Sequence, residues 1–156
     1  MKEGEEMVVH FVSGGVLKVP LPGKEVAYAV MLAVFPYVAF YGADDGLVDR
    51  KPPIGKPLFV VSVQKNTYSS GNWGPVLFRL SDEDLPQIPS FYRQNVMRLD
   101  DCEIVDASGA TRRASPAECI GLERSAVWAS VHIERRLQDH YANKPNVFLE
   151  SMRLKL

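Results

Sequence analysis

An uncharged run, "VAYAVMLAVFPYVAFYG" over residues 26–42, constrains the fold more than any other feature. A membrane-spanning helix needs roughly 20 apolar residues. This run is shorter, and it contains Pro36, which costs about 3 kcal/mol inside a helix. Its β-branched and aromatic residues instead predict two buried strands, over "EVAYAVMLAV" and "YVAFYG". Both segments are apolar on both faces, so we expect them in the middle of a domain.

Strand patterns surround this run on both sides. Alternating or continuous apolar residues predict strands over "MVVHFV", "VLKVPL", "LFVVSVQ" and "PVLFRL", and a hairpin over "CEIVD" and "ATRRA". "GADDGLVDRKPPIGKP", residues 42–57, is dominated by Gly, Pro and Asp and predicts a long loop. Loops of that length are often functional. "KNTYSSGNWG" predicts a turn region that carries Tyr68 and Trp73.

The last third of the chain changes to a helical pattern. "SPAE", residues 115–118, predicts a helix start with a capping box, and Asn143 with Pro145 predicts its end. We therefore expect one domain over residues 1–156, with strands over about 7–114, a long helix over about 115–142 and a short helix or tail over 146–156. The predicted fold class is α+β: a mostly antiparallel, strongly curved sheet or small partly open barrel, with one long C-terminal helix packed on it.

Two glutamates face the core side of that predicted helix. Glu123 and Glu134 lie between two apolar stripes, where a lone charge is costly. A catalytic pair is disfavoured, because the helix separates them by roughly 16 Å, whereas glycosidase carboxylates lie about 5–9.5 Å apart. We favour structural buried charges, each paired with a backbone donor or an arginine, for which Arg79, Arg112 and Arg113 are candidates.

Other signals for chemistry are weak. His132, Arg136 and His140 share one helical face, for which a solvated polar surface is the favoured interpretation. Cys102 and Cys119 have no neighbours at zinc-ligand spacing. No phosphate loop, G-x-S-x-G or H-E-x-x-H motif is present in the sequence. We expect no metal site, whereas a serine or cysteine nucleophile stays open, because catalytic triads assemble in space rather than in sequence.

Charge and composition narrow the partners. The net charge is -1, whereas a protein that binds nucleic acid through phosphates usually has a basic excess. Apolar residues make up 46% and charged residues 24%, as in ordinary soluble domains. The start, "MKEGEEMVVH", is acidic, unlike a secretory signal. We expect a cytoplasmic protein with reduced thiols and no membrane or nucleic-acid partner.

Clusters of acidic residues are the candidate partner-binding surface. These residues are Asp44, Asp45, Asp82, Glu83, Asp84, Asp100, Asp101 and Glu103. Together they would steer a basic partner, although solvated loops are an alternative interpretation. Tyr68 and Trp73 are candidate aromatic anchors, because aromatic residues are enriched at interface hot spots.

Three stretches together resemble the immunity protein 26 family of bacterial polymorphic toxin systems. They are "GVLKVPLPGKEVAYAVML" with "VAFYGAD", then "GKPLFVVSVQKNTYSSGNWGPV", then "CIGLERSAVWASVHIERRLQDHY". The resemblance covers residues 14–141 and rests on the order and spacing of the three. The residues carried over from these motifs are Trp73, Gly121, Leu122, Glu123, His132, Arg136 and Leu137. One departure is Ala29, where the family pattern has glycine.

The resemblance implies a small cytoplasmic antidote, with no catalytic residues and no cofactor, that binds and neutralises a cognate toxin domain. That toxin is delivered by a neighbouring cell or made by the cell itself. The alternative is a small enzyme of unknown reaction that uses Glu123 or His132 in a pocket. A nucleic-acid-binding small barrel is the third hypothesis, and the even charge distribution argues against it. The sequence leaves the oligomeric state open.

Overall fold

Two β-sheets of mixed direction organise residues 8–156, the part of the chain that the computed structural model describes. The strands are β1 (Gly15–Val19), β2 (Ala27–Met31), β3 (Tyr37–Tyr41), β4 (Phe59–Val63), β5 (Phe78–Arg79), β6 (Phe91–Gln94), β7 (Cys102–Val105), β8 (Thr111–Ala114), β9 (Glu123–Arg124) and β10 (Val127–Trp128). The helices are α1 (Asp45–Val48), α2 (Asn66–Ser69), α3 (Pro116–Cys119), α4 (Ser130–Tyr141) and α5 (Val147–Ser151), and a 3-10 turn covers Asp82–Asp84. The α+β class is confirmed.

The uncharged run forms two central strands of the first sheet. The strand order is β10-β4-β3-β2-β1-β5, and every residue of β2 is buried. Helix α4 covers one face through Ile133 and Leu137, while Leu47 and Leu80 pack on the other face. The prediction of two strands that are apolar on both faces is confirmed. Within residues 8–156, no helix has the length and apolarity needed to cross a bilayer.

The second sheet has the order β8-β7-β6-β9. Its β7–β8 pairing confirms the hairpin predicted over "CEIVD" and "ATRRA". Tyr92 and Ile104 pack with two free, buried thiols, Cys102 and Cys119. The C-terminal segment lies along this sheet, because the Tyr92 hydroxyl donates a 2.6 Å hydrogen bond to the Met152 carbonyl.

Other strand predictions are met in part. "VLKVPL" and "LFVVSVQ" contain β1 and β4, whereas "PVLFRL" contributes only the two residues of β5. The strand expected over "MVVHFV" is not formed by residues 8–12, and Met7 lies outside the described residues. Strands β6, β9 and β10 are additional to the prediction.

The prediction of a single, strongly curved sheet or small partly open barrel is wrong. Two separate sheets are present, and the β10–β4 and β6–β9 ladders are parallel. The break falls between β5 and β6, where the segment 85–90 contains Pro86 and Pro89. Proline has no N–H to donate to a ladder, so this segment cannot continue the first sheet into the second.

The prediction of a single long helix over residues 115–142 is also wrong. Ser115 caps α3 with the predicted capping box, but α3 ends after one turn. Gly121 has φ +89°, a left-handed conformation that ends helices and favours glycine. The chain then forms β9 and β10 before α4 begins at Ser130. The short C-terminal helix is confirmed as α5.

Replacing Gly121 by alanine tests this break directly. A Cβ atom at Gly121 would meet no atom within 4 Å, so any effect comes from the backbone conformation alone. We expect Gly121→Ala to lower the free energy of unfolding by about 1 kcal/mol, measured by urea denaturation. Gly121→Asn should cost less, because asparagine tolerates left-handed φ. A gain of about 1 kcal/mol for alanine would instead indicate a continuous helix.

Candidate functional site

Glu123 is held by a two-point ion pair with Arg136. Arg136 Nη1 lies 2.9 Å from Glu123 Oε1, and Nη2 lies 2.7 Å from Oε2. The guanidinium carbon lies 3.8 Å from the Phe59 ring centroid. Only 11% of the Arg136 side chain and 31% of the Glu123 side chain are exposed, so the pair is largely shielded from water. The expected arginine partner is present, but it is Arg136 rather than Arg79, Arg112 or Arg113.

The ion pair joins three parts of the fold. Glu123 lies on β9 beside Phe91 of the second sheet, Arg136 lies on α4, and Phe59 lies on β4 of the first sheet. The break at Gly121 makes this possible, because it turns the chain out of α3 and into β9. The predicted solvated face of α4 is therefore wrong at Arg136, whose largely shielded side chain lies between the Glu123 carboxylate and the Phe59 ring.

A cleft opens where the two sheets meet. It has a volume of about 410 Å³, within the roughly 300–1,000 Å³ typical of ligand sites. We call it the inter-sheet cleft. Its lining is mainly apolar and consists of Lys56, Pro57, Phe59, Val60, Pro86, Gln87, Pro89, Ser90, Phe91, Gly121, Leu122 and Glu123. The only carboxylate in this lining is that of Glu123, which Arg136 neutralises.

The first sheet presents an uncovered strand edge to the cleft. Strand β4 pairs with β3 along Phe59–Ser62, but its ladder with β10 begins only at Ser62. On that side, no strand of the described residues pairs with Phe59 or Val60. Both side chains line the cleft and retain 7% exposure, against 1% for Val61.

The end of the long loop 42–57, Lys56 and Pro57, lines one side of the cleft, and Asp44 holds the shape of this loop. The Asp44 carboxylate caps α1 through the N–H groups of Gly46 and Leu47. It also accepts hydrogen bonds from Ile54 N at 2.9 Å and Gly55 N at 2.8 Å. Desolvation opposes ionisation, but the four backbone donors outweigh it and lower the pKa of Asp44. Asp44 thus positions Lys56 at the cleft, whereas the exposed Asp45 carboxylate accepts no hydrogen bond among the described residues.

The acidic cluster 82–84 leads into the opposite wall. Asp82 accepts a hydrogen bond from Ser13 and Asp84 accepts one from Ser81, whereas exposed Glu83 has no partner among residues 8–156. The chain then continues through Pro86 to Ser90, which line the cleft. The residues that follow two of the predicted acidic clusters therefore line one cleft, whereas the acidic side chains of those clusters lie outside its lining.

The third acidic cluster lies elsewhere. Asp101 pairs with Arg113 at 3.4 Å, and Glu103 pairs with Arg93 at 3.7 Å. Asp100 is exposed. All three belong to the β6–β7 hairpin, at the end of β6 away from Phe91 and the cleft. The structure does not bring this cluster together with the other two.

Tyr68 and Trp73 are core residues, so the expectation that they anchor an exposed interface is wrong. Tyr68 is 1% and Trp73 is 3% exposed. Trp73 packs edge-on against Phe40, with ring centroids 5.8 Å apart. Helix α2 and the turn after it fold back onto the sheet, and the aromatic rings fill space beneath α4. A turn-forming sequence does not by itself predict exposure.

Glu134 differs from Glu123, because it forms no ion pair within the described residues. Burial raises the pKa of Glu134, and the indole N–H of Trp73 opposes that rise. The two groups are neighbours without standard hydrogen-bond geometry, since Trp73 Nε1 has no hydrogen-bond partner among residues 8–156. The arginine or backbone partner expected for Glu134 is not found there.

His132 lies away from the inter-sheet cleft. Its ring stacks on Phe148 with centroids 4.1 Å apart. It lines a groove between α4 and α5 together with Arg135 and Asp139. Glu123 and His132 therefore belong to different cavities. In residues 8–156, no group of three or more His, Cys, Asp or Glu side chains is arranged to hold a metal ion.

Sequence reasoning did not identify Lys56 or Phe59 as residues of the site, and it assigned Arg136, one of the residues carried over by the resemblance, to a solvated face. The length of loop 42–57 was a usable signal for Lys56. No local signal marks Phe59, whose role depends on how far β10 covers β4.

Comparison of the chain with protein-family models, curated proteins and solved structures found no match.

Breaking the ion pair should destabilise the fold. We expect Arg136→Ala or Glu123→Ala to lower the free energy of unfolding by about 2–3 kcal/mol, because each leaves a shielded charge without its partner. The double variant should lose less than the sum of the two. Urea denaturation measures all three. Arg93→Ala is the matched control: it breaks an exposed pair with Glu103 and should cost under about 1 kcal/mol. Equal losses at both pairs would contradict the assignment.

Asp44 should make stability depend on pH. Its lowered folded-state pKa means that its stabilisation is present above the ordinary value of 3.8 and is lost as pH falls through the folded-state pKa. We expect Asp44→Asn to cost about 1 kcal/mol at pH 7, and the difference from wild type to shrink in thermal melts as the pH falls below 3.8. Asp45→Asn, which changes an exposed neighbour, should have little effect at either pH. A pH-independent loss at Asp44 would contradict this role.

Proposed function

We infer that the protein is an immunity protein that binds and neutralises a cognate bacterial toxin domain without catalysis. The observation that carries this proposal is the inter-sheet cleft. Three segments singled out from the sequence meet there: the long loop 42–57, the stretch after the acidic cluster 82–84, and the "GLE" motif at residues 121–123. An apolar cleft with polar rims fits a protein interface, whose anchors fill desolvated pockets.

The neutralised carboxylate favours binding over chemistry. A general acid or base must exchange a proton with its substrate. Glu123 instead engages both carboxylate oxygens with Arg136 at 2.9 and 2.7 Å. This geometry supports a positioning role within the scaffold.

Two exposed carboxylates outside the cleft lining support a basic partner surface. Asp45 and Glu83 are exposed and are not engaged by other described side chains. Charges of this kind chiefly raise association rates and choose partners. We propose that the protein acts in the cytoplasm, needs no cofactor, and uses these carboxylates to steer the toxin. Asp100, Asp101 and Glu103 form a separate candidate contact on the β6–β7 hairpin.

The alternative is a small enzyme that uses Glu123 or His132. Its motivation is that Glu123 lines a cleft of suitable size. The structure offers less support for it, because His132 lines a different groove. An enzyme would require other groups beside Glu123 to supply the chemistry.

Co-expression tests the proposal. The toxin domain encoded in the neighbouring gene is expressed with and without this protein, and growth and co-purification are followed. We expect growth rescue and a stable complex with the wild-type chain. Glu123→Gln should retain rescue when it folds, because a binding protein needs no ionised Glu123. Absence of both binding and rescue would overturn the immunity function for this pair. Rescue that is lost in folded Glu123→Gln while binding persists would favour the enzyme.

A further inference from the structure

The half of β4 that β10 does not cover, residues 59–61, has no strand partner on the cleft side among the described residues. Edge strands present unpaired backbone N–H and C=O groups, and proteins normally cover or blunt them. The β10 ladder covers β4 only at Ser62 and Val63. Phe59 and Val60 line a concave surface instead of open solvent. Such a combination is the setting for strand addition, in which an extended peptide supplies the missing ladder.

We propose that the inter-sheet cleft holds an extended segment of the toxin domain, which pairs with the uncovered half of β4, inserts an apolar side chain between the two sheets and places a carboxylate beside Lys56. This inference rests on the proposed immunity function and names the surface and the recognition chemistry. It selects the cleft over the hairpin 95–103 as the main contact.

The apolar lining of the cleft is the reason for proposing an apolar side chain in the toxin segment. Phe59 and Val60 come from the first sheet, and Phe91 and Leu122 come from the second sheet. Phe59 is fixed between the Arg136 guanidinium on one side and Phe40, whose centroid is 5.0 Å away. Phe91 is fixed by stacking on Tyr37 at 5.8 Å. The walls are therefore rigid, and a rigid apolar pocket reduces the ordering cost of binding.

The charges at the cleft are the reason for proposing a carboxylate in the toxin segment. The charged side chains that line the inter-sheet cleft are Glu123, which Arg136 neutralises from outside the lining, and Lys56. Lys56 is exposed, and within residues 8–156 it forms no ion pair. Asp44 fixes the backbone just before it through Gly55 N at 2.8 Å. A lysine held on an ordered loop beside an apolar pocket favours an acidic group next to an apolar anchor.

Two cleft variants test the proposal by their affinity for the toxin domain from the co-expression experiment. Lys56→Glu reverses the charge at the rim, and Gln87→Trp fills the cleft from an exposed position. The controls make the same substitutions at a second groove of about 510 Å³, as Lys24→Glu and Asn72→Trp. All four positions are exposed, so folding should survive, and circular dichroism confirms it. Calorimetry or surface plasmon resonance gives Kd.

We expect Lys56→Glu to weaken toxin binding at least tenfold and Gln87→Trp to weaken it at least a hundredfold, with both controls within twofold of wild type. Wild-type affinity in both folded cleft variants would overturn the inference while leaving the immunity function standing. Weakening by the control pair alone would do the same and would move the contact to the second groove. No binding by the wild-type chain would overturn the inference and the immunity function together. If one cleft variant fails to fold, the other decides.

Discussion

The Glu123–Arg136 ion pair is the interaction on which the arrangement of the two sheets depends. It joins β9 of the second sheet to α4, and its stacking on Phe59 joins both to the first sheet. An arginine serves this role because its planar guanidinium binds a carboxylate at two points and stacks on a ring at the same time. Without it, a carboxylate on β9 would face the aromatic side chains of β4 with no compensating charge.

The site is a consequence of how the sheets end. The proline-containing segment 85–90 leaves the first sheet at β5, one edge of the strand order, and lines the cleft beside β4, next to the other edge. Strand β10 is only two residues long and covers part of β4. On one side of the cleft lies the end of the loop whose shape Asp44 holds, and on the other side lies the segment after the 3-10 turn. The shape of the cleft follows from proline placement and strand length rather than from any catalytic motif.

The sequence predicted those features that depend on local chemistry. The uncharged run around Pro36 is formed as β2 and β3, and the capping box at Ser115 is present. Predictions from the sequence were wrong where contacts between distant parts of the chain determine the local structure. A continuous helix would place residues 123 and 136 about 140° apart around its axis, which hides their pairing. The left-handed Gly121 removes that constraint, but glycine also occurs inside helices. Tyr68 and Trp73 failed as surface anchors because helix α2, which carries Tyr68, and the turn after it, which carries Trp73, fold inward.

Amide hydrogen exchange on the chain with and without the bound toxin domain tests the central idea most directly. Backbone amides of an uncovered strand edge exchange with solvent, and a peptide added to that edge protects them. We expect toxin to slow exchange in residues 58–61 and 86–91, with little change over the hairpin 95–103. Protection confined to that hairpin, with unchanged exchange along β4, would contradict a toxin site in the inter-sheet cleft.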